Sequence, residues 1–177
     1  MKMVFTRKFE AAHRLMSDKS LKCNGPHGHS FVVKVTIEST SLQSLDGDIN
    51  MIEEFGAAKK KWHVWIDECV DHSMMFNSKD PMWQYVRELI PHARILLTSG
   101  DPTTEMVCAA FMAKCNAFLI AEHGDRLKCT YIEVVETATN TVTFEGDPYF
   151  HIPQGIAYWW NRADMTTHDI EVEQDLL

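Results

Sequence analysis

The sequence predicts an α+β fold in which two strands, two helices and two further strands follow one another. Three observations carry that expectation. Phe31, Val33, Val35 and Ile37 share one parity while Val32, Lys34, Thr36 and Glu38 share the other, the period of a half-buried strand. Phe55, Ala58, Trp62, Trp65, Ile66 and Cys69 recur at helical spacing. From residue 129 alternation returns, with Thr130, Ile132, Val134 and Glu136 on one parity.

The elements then fall in order. Residues 2–12 read as a first strand, because Met3, Phe5, Phe9, Ala11 and His13 lie on one face. Residues 14–26 are rich in Ser, Asp, Lys, Asn, Gly and Pro and read as a loop, ahead of a strand from His29 to Glu38. Residues 39–50 are a polar connection containing Gly47. A helix over 53–70 opens on two glutamates suited to its positive N-terminus, and Lys59, Lys60 and Lys61 form a solvated face. Asp80-Pro81 and Pro91 bracket a short helix, followed by an extended segment from Arg94 to Thr98. Asp101 as N-cap and Pro102 at the first helical position start the second long helix, which Gly124 stops. A strand over 129–136, a turn at Asn140 and a returning strand through Val142 and Phe144 complete the pattern. Residues 1–150 thus form one domain. Residues 151–177 read as an extension whose Tyr158-Trp159-Trp160 cluster docks on its own or a neighbouring subunit, covering an interface in the second case, and whose last ten residues are mobile.

Composition excludes several function classes. With 177 residues, 45% hydrophobic and 24% charged, the chain can bury a substantial core. A net charge of -8 disfavours a nucleic-acid surface. No apolar run suggests a signal peptide or a membrane span, so the expected location is the cytoplasm. Five cysteines without a CxxC pair fit reduced thiols.

Chemistry concentrates in Cys23-Asn24-Gly25-Pro26-His27-Gly28-His29. On its own this stretch is equally a turn with polar histidines and a small buried thiol. In an extended backbone, however, His27 and His29 point the same way, and antiparallel pairing of the first two strands brings His13 to them. Three neutral imidazoles with an open fourth position can hold a catalytic zinc. A thiol beside a cation can serve as a base, and Asp71-His72 offers a carboxylate that fixes an imidazole tautomer, or only a polar helix end. Glu105 sits in the first turn of a helix, where dipole compensation alone would explain it. Glu136 is the odd member of an inward face and either lies at a solvated strand end or meets a ligand.

Taken together, these blocks resemble the family of 6-pyruvoyltetrahydropterin and 6-carboxy-5,6,7,8-tetrahydropterin synthases. The carriers are residues 9–15 (Phe-Glu-Ala-Ala-His-Arg-Leu), 23–30, Asp71-His72, Pro102-Thr103-Thr104-Glu105 and Val135-Glu136-Thr137, in order over residues 3–145. The resemblance implies the tunnelling fold (T-fold), a four-stranded antiparallel sheet with two helices packed on one face, assembled into a ring-based homo-oligomer, a hexamer or tetramer. It implies that His13, His27 and His29 ligate zinc, that Cys23 is the catalytic thiolate with Asp71 and His72 as proton-relay partners, and that Glu136 anchors a pterin with help from Thr104 and Glu105. The substrate implied is 7,8-dihydroneopterin triphosphate.

Two branches of that family differ in the spacer between the cysteine and His-x-His. Three residues, as here, resemble the branch that releases acetaldehyde and triphosphate to give 6-carboxy-5,6,7,8-tetrahydropterin on the route to 7-deazaguanines such as queuosine. Five resemble the pyruvoyl branch. A non-catalytic pterin- or purine-binding module on the same fold is the alternative from another class. Departures from the family pattern occur at 47–55, where local register differs, at 78–100, which is longer than in the shortest members, and after Phe150.

Overall fold

The computed structural model describes residues 1–17, 21–41 and 47–170. Its centre is a sheet of six strands in the order β4-β3-β1-β2-β5-β6. The strands are β1 (Lys2–His13), β2 (His27–Ser39), β3 (Ser73–Asn77), β4 (Ile95–Thr98), β5 (Leu127–Val135) and β6 (Thr141–Glu145). β1, β2, β5 and β6 pair antiparallel, whereas β3 and β4 run parallel to β1. The sheet is therefore mixed and six-stranded, which corrects the four-stranded antiparallel expectation. β3 carries Ser-Met-Met-Phe-Asn, a short run without alternation, and such runs give no strand period to read.

Helices α1 (Phe55–Trp65) and α3 (Thr104–His123) contribute to one continuous core with the sheet. Phe31, Val33, Val35 and Ile37 are all buried, as alternation requires. On β5 the period slips: a bulge opposite Thr36 and Ile37 displaces Thr130, whose hydroxyl bonds Glu38, and puts Cys129 inward. The third helix, α2 (Met82–Leu89), lies beside a smaller core of Phe76, Ile95 and Leu97.

Helix boundaries follow local capping. The Glu54 carboxylate accepts from the N–H groups of Gly56 and Ala57, and a Cβ on residue 56 would stand 2.6 Å from that carboxylate, so glycine leaves it room. After Trp65 the helix widens into a π-helical stretch, Ile66–Val70, and ends at Asp71. α3 starts at Thr104 with Thr103 as its cap, the Thr103 hydroxyl accepting from Met106 N–H; Asp101 is not the cap, a correction of two residues. The stretch Thr104–Arg126 is long and apolar enough to cross a membrane, but 78% of its apolar window is buried inside the fold, as a core helix would be.

The C-terminal segment packs within its own chain. Trp159 stacks on Trp65 at 5.6 Å between ring centres and meets Phe111 edge-on, and Trp159 and Trp160 are fully buried. Beneath them Lys114, fully buried on α3, donates to the carbonyls of Trp159 and Arg162 at 2.9 and 2.8 Å. The acidic end of the tail from residue 171, the part of the connection at 42–46 and the loop residues 18–20 lie outside the described residues, and so does most of the stretch expected to be mobile.

Candidate metal centre and active-site cleft

β1 and β2 form the longest ladder of the sheet, and their register places His13 directly opposite His27, with His29 opposite Ala11. Side chains two residues apart share a face, so His13, His27 and His29 meet on one side of the sheet. Their rings lie 4.6, 5.2 and 5.1 Å apart between centres, and one ligand atom from each falls within 4.8 Å of the other two. His13 is buried, while the other two are partly open.

Backbone carbonyls set the tautomers. His13 Nδ1–H donates to the Pro102 carbonyl at 3.0 Å, and His27 Nδ1–H donates to the Gly25 carbonyl at 2.9 Å, since a carbonyl can only accept. Each ring is left with an Nε2 lone pair, and the two Nε2 atoms face one another at 3.1 Å. Two acceptors at that separation require a proton or a cation between them. Burial, ahead of every other influence, pushes the His13 pKa below its ordinary value, which disfavours the proton. The donor set therefore suits a divalent ion bound through imidazole nitrogen, with second-sphere carbonyls orienting the rings.

The histidines open into a cleft of about 580 Å³. Cys23 lines it, as do Thr104, Glu105 and Glu136. Cys23 closes a single 3₁₀ turn, Leu21–Cys23, and its carbonyl accepts from Leu15 N–H at 2.9 Å. All five cysteines are thiols. Glu136 follows the last residue of β5; one carboxylate oxygen accepts from the Thr104 hydroxyl at 2.9 Å and lies 3.5 Å from His13 Nε2 and 4.0 Å from His29 Nε2. The odd carboxylate of the strand thus faces the imidazoles rather than bulk water. Thr137, Thr139, Asn140 and Thr141 add a polar rim, of which the sequence singled out Thr137 in the block 135–137 and Asn140 only as a turn residue. Its signal was the threonine-rich run directly after Glu136.

Asp71 and His72 stand elsewhere. His72 lines a second cleft with Glu10, Gly28, Ser30, Ser73 and Met74, and His29 lines both. Asp71 accepts from Glu10 N–H at 2.8 Å and from His72 Nδ1–H at 2.7 Å, and against the opposing effect of desolvation these hydrogen bonds hold its pKa below the usual carboxylate value. Adjacent residues face each other here because His72 adopts a left-handed backbone, φ +60°. Its N–H bonds the Glu10 carbonyl, which ties this pair to β1.

Comparison with known proteins agrees with this architecture. 6-carboxy-5,6,7,8-tetrahydropterin synthase from Rickettsia bellii is 27% identical over 130 residues, which is 73% of this chain and 89% of the relative. The protein of the same name from Aquifex aeolicus is 30% identical over 123 residues, 60% of this chain and 73% of the relative. Among solved structures, the uncharacterized protein WS1659 from Wolinella succinogenes superposes with a TM-score of 0.64 at 19% identity, covering 83% of this chain and 98% of its own. The 6-pyruvoyl tetrahydropterin synthase of Caenorhabditis elegans does so with a TM-score of 0.55 at 22% identity, covering 83% and 96%. These structures share the T-fold. The model of one family, described as 6-pyruvoyl tetrahydropterin synthase, matches residues 2–147, the span that holds all six strands and both clefts, and the chain belongs to that family.

Proposed function

We propose that the protein is a zinc-dependent carbon-carbon lyase that converts 7,8-dihydroneopterin triphosphate to 6-carboxy-5,6,7,8-tetrahydropterin, releasing acetaldehyde and triphosphate, in 7-deazaguanine biosynthesis of the queuosine type. The observation that carries this reading is the placement of Cys23 and Glu136 in one cleft with three clustered imidazoles, two of which turn Nε2 atoms on one another as a shared cation would require. The relatives named 6-carboxy-5,6,7,8-tetrahydropterin synthase support this reading.

His13, His27 and His29 would hold zinc through ring nitrogens. Bound there, zinc supplies Lewis-acid polarisation of a substrate oxygen. Glu136, oriented by the Thr104 hydroxyl, accepts from the guanidine-like edge of the pterin, and Glu105 borders the same end of the cleft. Cys23 removes a proton from the substrate side chain as its thiolate. His72, paired with Asp71, relays protons on the far side of that side chain. Since His72 lines a separate cleft in the single chain, this role calls for a ring of copies in which neighbouring clefts meet. Residues 1–150 carry the chemistry, and 151–177 form an extension to it.

The test is to incubate the zinc-loaded protein with 7,8-dihydroneopterin triphosphate and measure acetaldehyde. Acetaldehyde supports the proposal; a pyruvoyl product assigns the sister reaction, and no turnover leaves a binding module. Cys23→Ala should cut turnover by about a thousandfold, within the range of general-base catalysis, while zinc content is retained. Unchanged turnover in that variant would sink the assigned role.

A further inference from the structure

Cys23 lies outside the sheet, on a loop between β1 and β2, yet a reacting thiol has to keep one position relative to the histidines. What holds it comes from a distant part of the chain. The Cys23 carbonyl hangs on Leu15 N–H, and the residues on either side of Leu15 are pinned by carboxylates from the segment between β3 and α3. Arg14 Nε lies 3.3 Å from a carboxylate oxygen of Asp80, which is fully buried. Ser17 N–H donates to Asp101 Oδ2 at 2.9 Å. The other oxygen of Asp101 accepts from the Asn77 side-chain amide at 3.0 Å. Asp101 is thereby fixed at one end to β3 and at the other to the stretch carrying Leu15. Its neighbour Pro102 offers the carbonyl that orients His13.

We infer that Asp101 is a positioning residue for the Cys23 thiol. Its carboxylate, anchored by Asn77, locks residue 17, and through the Leu15–Cys23 hydrogen bond it sets where the 3₁₀ turn stands beside the imidazoles. Charge-assisted bonds to backbone N–H groups are short, directional and stronger than neutral ones, which suits them to fixing a loop. The two-residue turn 101–102 then serves both halves of the cleft, the thiol through Asp101 and the histidine cluster through Pro102. Asp101 is spare for this purpose because Thr103 caps α3. The inference rests on Cys23 being the reacting thiol of the proposed function.

The test compares full-length wild-type protein with Asp101→Ala and Asp101→Asn by two measurements that need no substrate. The first is hydrogen exchange at the Leu15 amide, which Asp101 does not touch. The second is the rate of Cys23 alkylation by iodoacetamide relative to Cys69, a half-buried thiol of the same chain that serves as reference. Asp101→Ala should raise both the Leu15 exchange rate and the Cys23-to-Cys69 ratio by about tenfold, the scale of one lost charge-assisted bond. Asp101→Asn keeps one acceptor oxygen but turns a donor toward Ser17 N–H or the Asn77 amide and loses the charge, so it should fall between wild type and Asp101→Ala. Unchanged Leu15 exchange in Asp101→Ala would overturn the inference. So would a parallel rise at Cys69, which marks general loosening. Failure to release acetaldehyde leaves these rates untouched, so the two readings fail separately.

Discussion

Lys114 gives the most quantitative prediction. Its ammonium is fully buried on α3, with two carbonyls of the C-terminal segment within 2.9 Å and an Asp164 oxygen at 3.7 Å. Desolvation outweighs the attraction of Asp164 and lowers its pKa from 10.5 to about 8. Between those two values the folded chain has released a proton that the unfolded chain still holds, so stability rises with pH across that window. Below it the buried charge costs the fold about 3 kcal/mol relative to the neutral amine, and above it the cost disappears. Wild-type protein should therefore gain about 2 kcal/mol from this group between about pH 7.5 and about pH 10. Lys114→Met keeps the apolar stem and removes the titration, so urea unfolding of both proteins across that range isolates the effect. The difference between wild type and variant should widen by about 2 kcal/mol in favour of wild type as pH rises. Parallel curves would refute the argument that burial, rather than the Asp164 pairing, governs this lysine.

Two further outcomes follow from the same geometry. His72 sits at φ +60°, so His72→Gly should raise the thermal midpoint through relief of about 1 kcal/mol of backbone strain while it abolishes turnover; a lower midpoint would count against the strain. Trp159→Ala removes a fully buried indole stacked on Trp65 and should cost about 3 to 5 kcal/mol in denaturant unfolding, where a loss below about 1 kcal/mol would show that the tail is not part of the core.

Much of the half of the fold that carries the histidines was legible in the sequence because its order is local. Alternation along residues 29–38 sets which face is buried, and a single antiparallel pairing then puts His13 opposite His27 with no further information. Glu136 was legible for the same reason, as a charged residue at the end of an inward parity. The parallel pairing was not. The extended segment expected over 94–98 is β4, but β3 is five residues long without a pattern of its own, and what marks it is pairing with β1 on one side and β4 on the other across distant sequence. Capping misled at Asp101, since an Asp-Pro pair reads as a helix start whether or not the carboxylate is engaged elsewhere. The placement of Trp159 and Trp160 depends on a buried lysine 45 residues earlier, a partnership that no periodicity reveals.

The way the tail meets β4 bears on how this protein can be handled. β4 is the outermost parallel strand, and its open side is covered by the C-terminal segment: Leu97 N–H donates to the Thr167 carbonyl, the Thr167 hydroxyl donates to the Ile95 carbonyl, and the Trp159 indole N–H donates to the Leu97 carbonyl. An uncovered strand of four apolar and β-branched residues is a template for edge-to-edge association. Chains shortened before Trp159 should accumulate in insoluble form on expression, so a loss of yield on trimming reports aggregation through β4 and says nothing about the histidines.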